Sequence, residues 1–277
     1  MKNILCKGIS SVGWNKIFEI SVRKGRKLIV CVLLAIVLVA RATAADFQVQ
    51  PTTLDLSSKV KSGVFSVINN GNEKIDFQVS VKEWNQDKKG KDIYADTKEI
   101  IFFPKVMTVD PNSQRAIRIG LKTPPSSKEK TYRLFVEEIP VQKKAEEMDT
   151  KKNIKAGLTI AFRFSMPIFV KPLKLQESCV IDKVEMSKST AKAIVRNTGN
   201  VHVKLRTVKF SGKSADDKEL FSKEIAGWYI LNGLSFSYEA VVPEEICGQL
   251  AKIEVSAQTE NDNIKGILNV QKNMCVQ

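Results

Sequence analysis

Histidine is almost missing: His202 stands alone in 277 residues. A Ser–His pair or a catalytic zinc needs that residue in company, and no Cys-x-x-Cys offers another ligand set. The expectation is therefore no enzyme, no metal and no other cofactor. Tryptophan is scarce as well. Trp14, Trp84 and Trp228 are the only three, too few for an aromatic sugar-binding platform. The apolar run Leu28–Ala40 has thirteen residues, short of the ~20 that span a membrane as a helix. No long amphipathic helical pattern follows it. Hydrophobic content is an ordinary 43%, enough for packed cores, and the length suggests two domains.

The N-terminus holds a concentration of charge. Residues 1–44 carry eight Lys or Arg against one Glu, half of the net +14 of the whole chain. Arg23, Lys24, Arg26 and Lys27 precede the apolar run, and Ala42-Thr43-Ala44 follows it. Basic, then apolar, then small-x-small is the order of a cleaved signal peptide. Residues 1–44 are expected to be that segment, with the mature chain starting near Ala45. The long basic stretch ahead of the run allows a start codon further along. The remaining +7 is spread out and suits the solvated surface of a secreted protein. Export places the chain where disulfides form. Of five cysteines, Cys179, Cys247 and Cys275 remain after cleavage. That count permits one disulfide and leaves one thiol, with the pairing open.

The mature chain reads as strands and turns. Ile75, Phe77, Val79 and Val81 alternate with Asp76, Gln78, Ser80 and Lys82, the period of a strand with one wet face. Ile117, Ile119 and Leu121 repeat it, as do Tyr132, Leu134 and Val136. Asn70-Gly71, Lys88-Lys89-Gly90, Asp110-Pro111-Asn112-Ser113 and Pro124-Pro125-Ser126-Ser127 supply turn chemistry between the runs. About seven short strands in ~125 residues fit an immunoglobulin-type β-sandwich. Val141–Ala156 is rich in Lys and Glu and reads as a charged loop. After Lys171-Pro172 a second β-rich region begins, with strands expected at Ala193–Arg196, Val201–Val208, Lys252–Ala257 and Ile267–Val270. The fold class is thus all-β, with an N-terminal domain over 45–171 and a C-terminal one over 172–277. Asn69-Asn70-Gly71-Asn72 and Asn197-Thr198-Gly199-Asn200 echo one another. Asn and Gly at those points suggest tight connections with positive φ.

One strand differs in kind. Leu158, Ile160, Phe162, Phe164, Met166 and Ile168 alternate with Thr159, Ala161, Arg163, Ser165 and Pro167. Eleven alternating residues exceed a typical strand of ~5–6. Pro167 cannot donate to a ladder and belongs on an edge or at a bulge. A long apolar edge is an aggregation hazard, and strand addition to a partner is a physical reason to keep one. The same alternation also fits an ordinary core strand.

Several segments in order carry a resemblance. They are Val67-Ile68-Asn69-Asn70, Val81-Lys82-Glu83-Trp84, Ile101-Phe102-Phe103-Pro104, Val109-Asp110-Pro111, Ala116-Ile117-Arg118-Ile119, Tyr132–Pro140 with its Glu138-Ile139-Pro140 ending, and Phe169-Val170-Lys171-Pro172. Together they resemble the PapD-like periplasmic pilus chaperones over nearly the whole mature chain. The resemblance implies two immunoglobulin-like sandwiches joined at an angle, working in the periplasm without ATP or nucleic acid. It implies partners: pilus subunits that lack their last strand, and an outer-membrane usher that receives them. It assigns residues 158–170 as the donor strand, with Leu158, Ile160 and Phe162 filling the subunit's groove and Phe164 as a fourth. A second copy of the chain could also associate through that strand.

The departures are specific. Classical members bind the subunit's terminal carboxylate with an Arg and a Lys at positions held here by Thr53 and Pro167. The chain therefore resembles the archaic branch, as do Asn197–Val203 and Gly227–Leu231. Arg133 is the first candidate anchor and Arg163 the second, since a guanidinium matches a carboxylate in shape. Each could instead be a strand arginine paired with Glu137. His202 is expected to decorate a strand, and Trp228 and Tyr229 to pack in a core or between domains. A structural pilus subunit or adhesin is the competing reading, though a long donor-like strand inside the chain speaks against it.

Overall fold

The computed structural model describes residues 47–87, 90–140 and 160–275. The expected signal segment, the charged stretch Val141–Ala156 and Leu158 lie outside the described residues. The rest is built almost entirely of strands, eighteen among the described residues.

The first sandwich has two sheets. One runs β1 (Phe47–Gln50), β3 (Ser62–Asn69), β8 (Ser113–Leu121), β6 (Ile100–Phe103). The other runs β2 (Leu54–Leu56), β10 (Arg163–Val170), β9 (Lys130–Glu138), β4 (Ile75–Gln86), β5 (Asp92–Asp96), with β7 (Val106–Val109) also against β4. The alternation read from sequence aims the side chains. Phe77, Val79 and Val81 of β4, Ile117 and Ile119 of β8, and Tyr132, Leu134 and Val136 of β9 all enter one core with Phe65 and Ile168. Burying each large side chain contributes about 1.5–3 kcal/mol.

The second sandwich pairs β11 (Cys179–Ser187), β12 (Thr190–Asn197) and β16 (Ser235–Val241) in one sheet. Its other sheet runs β14 (Glu219–Ala226), β13 (Val203–Lys213), β17 (Lys252–Thr259), β18 (Asn263–Asn269), with β15 (Tyr229–Ile230) on β13. The strands expected in this half are present, and β11, β14, β15 and β16 are additional. A short helix, α1 (Glu244–Cys247), and a 3-10 turn at Lys272–Met274 complete it. Cys247 bonds to Cys275, and Cys179 is the free thiol among the described residues. The count of one disulfide holds, and the pairing is now fixed.

The echoed Asn-Gly turns are a genuine repeat, but not for the expected reason. Asn69 and Asn197 are both buried. Asn69 Nδ2 donates to the Glu73 and Val109 carbonyls at 2.8 and 3.1 Å, and its Oδ1 accepts from Gly71 N at 2.9 Å. Asn197 Nδ2 donates to Val201 and Ile230 at 2.7 and 2.9 Å, and its Oδ1 accepts from Gly199 N at 2.9 Å. Each amide thus closes its own turn and pins the end of a short strand, β7 or β15. Neither Gly71 nor Gly199 adopts a positive φ. Gly199 is required by closeness instead, because a Cβ there would lie 2.2 Å from the Gln176 carbonyl oxygen.

Burial along β4 changes parity. Phe77, Val79 and Val81 are buried, then Trp84 and Gln86. A strand's faces alternate strictly, so its inner face feeds the core over the first half and its outer face is covered over the second. The second sandwich does the covering. Trp84, Phe169 and Leu231 form a small cluster with Tyr229 and Leu234 against it. Gln86 Nε2 donates to the Tyr229 carbonyl at 2.9 Å, and Leu231 N donates back to Gln86 Oε1 at 3.2 Å. Glu129 accepts from His202 N at 2.7 Å and meets His202 Nδ1 at 2.8 Å, while the imidazole stacks on Phe169 at 3.6 Å. His202 does not simply decorate a strand: it is part of the joint. Tyr229 packs in the joint as expected.

Candidate functional site

Beyond the joint, Arg133 stands on β9 between β4 and β10, and Arg163 and Phe164 open β10. β10 pairs with β9 along its full length, from Arg163 opposite Glu137 to Val170 opposite Lys130. On its other side β2 pairs in parallel with Ile168–Val170 only. Arg163 to Pro167 therefore present a bare edge among the described residues. Pro167, which has no N–H to give a ladder, is the last residue before β2 takes over. The expected strand over 158–170 is regular only from Arg163, because β9 ends at Glu138 and offers no longer partner. One bond extends the pairing, from Glu138 N to the Phe162 carbonyl at 2.9 Å.

The four expected groove-filling residues are placed as follows. Phe164 is half-buried, with its ring 4.9 Å from Phe47 at the rim of the core. Phe162 is 39% exposed and Ile160 61% exposed, large apolar groups left in water. Leu158 lies outside the described residues. Ile160, Phe162 and Phe164 share one parity, so they form the upstream end of a comb whose downstream teeth, Met166 and Ile168, are already in the core.

The two arginines part company. Arg163 Nε bonds Glu137 Oε1 at 2.8 Å, and its guanidinium lies 4.0 Å above the Phe135 ring. It is exposed and already paired. Arg133 is only 4% exposed. Its guanidinium stacks on Trp84 at 3.7 Å, with the Trp228 and Tyr229 rings at 5.8 and 5.9 Å. Its Nε and Nη2 are buried and have no hydrogen-bond partner. The nearest carboxylate oxygen is Asp92 Oδ2, 4.0 Å from Nη2. Burial pushes its pKa down from the usual arginine value, yet an arginine so placed keeps its charge. A stacked guanidinium with unsatisfied nitrogens is a strong anion receptor.

In the β9–β10 register Arg133 stands directly opposite Pro167. Thr53 is exposed and lies between β1 and β2. The sequence did not single out Trp84 as the platform for Arg133, nor Gln86, nor Asp92 beside the guanidinium, nor Glu129 in the joint. The visible signal for the first two was the break in alternation after Val81. Among the described residues no cluster of His, Cys, Asp or Glu could hold a metal, and no helix is long and apolar enough to cross a membrane.

A comparison with curated proteins finds no match. Among solved structures, a chain of the CsuC–CsuE chaperone–tip adhesion subunit pre-assembly complex, from the archaic chaperone–usher Csu pili of Acinetobacter baumannii, aligns with a TM-score of 0.55. The two are 19% identical over 79% of this chain and 97% of that one. The YadV chaperone aligns with a TM-score of 0.54 at 18% identity, over 81% of this chain and 99% of that one. These likenesses concern the fold: two immunoglobulin-like sandwiches. Residues 46–176 match the family described as pili and flagellar-assembly chaperone, PapD N-terminal domain. This span, similar to the N-terminal domain of PapD-like pilus chaperones, contains the bare edge of β10, the exposed Ile160 and Phe162, and Arg133.

Proposed function

We propose that this chain is a periplasmic chaperone of the archaic type that captures pilus subunits by lending them a β-strand and passes them to an outer-membrane usher. The observation that carries the reading is the bare edge Arg163–Pro167, continued upstream by Ile160 and Phe162 on the parity of Phe164. An incomplete subunit sandwich would pair its backbone with that edge and receive Leu158, Ile160, Phe162 and Phe164 in its groove. Each side chain so buried contributes about 1.5–3 kcal/mol, and the ladder fixes the register. Arg133 holds the subunit's terminal carboxylate in this reading. Its support is the register with Pro167, the unpartnered nitrogens and the aromatic platform. Arg163, already bonded to Glu137, is the weaker choice. The division at Pro172, with residues 1–44 removed on export, belongs to the same reading. The Cys247–Cys275 disulfide suits an oxidising compartment.

The test is purification of the mature protein from a periplasmic extract, with mass spectrometry of any co-eluting partner. A stoichiometric small β-rich protein is expected. Ile160→Asp with Phe162→Asp should abolish its co-elution and leave the thermal unfolding of the chaperone unchanged. Co-elution that survives the double variant overturns the donor-strand assignment.

A further inference from the structure

Arg133 has a second carboxylate waiting for it. Asp92 opens β5, at the far side of β4 from β9, and its Oδ2 lies 4.0 Å from Arg133 Nη2. That is too long for a hydrogen bond but close enough for strong attraction between partly desolvated groups. Asp92 is itself held. Its Oδ2 accepts from the Tyr94 hydroxyl at 3.1 Å, and its Oδ1 accepts from Gln86 Nε2 at 3.4 Å. Gln86 in turn is anchored to Tyr229 and Leu231 of the second sandwich. The other charged neighbours are accounted for. Lys82, opposite Arg133 on β4, is paired with Asp96, and Pro167, opposite it on β10, carries no charge. Asp92 is the one carboxylate within ion-pair reach of Arg133 among the described residues.

Removing the partner of a buried charge is costly, because the remaining ion has lost its hydration and gains nothing in return. A chaperone that bound a terminal carboxylate through a bare buried arginine would meet that cost each time it let go. We propose that Asp92 is an internal counter-carboxylate for Arg133, which competes with the client's terminal carboxylate and takes up the arginine's charge as the client leaves. Asp92 thereby weakens capture and speeds release. The inference rests on the reading of Arg133 as the carboxylate anchor.

The probes are two dye-labelled peptides of alternating Val and Thr, one ending in a free carboxylate and one in an amide, titrated against the full mature protein. Asp92→Asn keeps groups that can bond Tyr94 and Gln86 but removes the charge, and Asp92→Ser serves as a smaller second variant. For the carboxylate peptide, both variants should bind roughly tenfold more tightly than the parent, mostly through slower dissociation. For the amide peptide, neither variant should differ from the parent. Weaker or unchanged binding of the carboxylate peptide overturns the inference and, if weaker, makes Asp92 a positioning residue. Equal tightening for both peptides also overturns it, since the effect would not act on the carboxylate. Equal binding of the two peptides by the parent and by Arg133→Ala would instead sink the anchor reading itself. Binding of neither peptide to any form overturns both.

Discussion

The two sandwiches share a device and differ in what surrounds it. Asn69 and Asn197 make the same three bonds, close the same kind of turn, and pin the ends of β7 and β15 in the same way. The cores are not alike. The first is filled by Phe47, Phe65, Phe77 and Tyr132, and its buried cluster contains no alanine. The second places Ala191, Ala193, Ala240 and Ala257 among its buried residues. A core lined with alanine removes less apolar area from water per residue. The second half carries a disulfide, and the first, with the larger side chains, carries the bare edge. The turn lock is common framework, while the disulfide and the bare edge fall in different halves.

The largest expected effect concerns that disulfide. Cys247 and Cys275 are 28 residues apart, and closing a loop of that length restricts the unfolded chain by about 3–4 kcal/mol. Cys275→Ala should lower the denaturant midpoint of the second sandwich and leave the first where it was. An equal loss in both halves would show that they unfold as one unit. Next come the paired locks. Asn69→Ala and Asn197→Ala each leave two carbonyls and one N–H without their partner, for a loss of about 2–3 kcal/mol apiece. Urea unfolding should give similar values for both. A much smaller loss at one site would mean that the repeat is one of geometry and not of energy.

The joint comes third. Gln86→Ala removes two buried bonds between the sandwiches, about 1–2 kcal/mol. The expected result is two resolved unfolding transitions where the parent shows less separation, and coincident transitions in both proteins would break the idea of a clasp. The smallest effect is chemical. Burial pushes the Cys179 thiol up to about 11, so it stays protonated below that value and the thiolate is scarce at pH 8. Its alkylation at pH 8 should run about a hundredfold slower than that of an ordinary free cysteine and should still be accelerating between pH 9 and 10. A rate that levels off near pH 9 would contradict its burial.

Much of this architecture was legible because period-two alternation is a local property. The inward residues of β4, β8 and β9 were readable one strand at a time. The alternating strand over 158–170 was readable in its parity but not in its extent, because the end of β10 is set by the end of β9, a distant stretch of chain. Trp84, Gln86, His202 and Glu129 were less legible for a related reason. Nothing within a few residues of any of them announces that a second sandwich will cover it. Arg133 stood out by resemblance, yet its platform on Trp84 and its neighbour Asp92 come from two further strands. The Asn-Gly repeat was visible as letters, and its mechanism was not, since the carbonyls it pins are up to 40 residues away.

The stacking of Arg133 on Trp84 has an optical consequence. Two of the chain's three tryptophans, Trp84 and Trp228, lie within 6 Å of the same guanidinium, and the third, Trp14, belongs to the N-terminal segment. Indole emission responds to nearby charge and to exclusion of water. An anion arriving at Arg133 would alter the field on both rings at once, so the protein's own ultraviolet fluorescence would report its arrival without any added label.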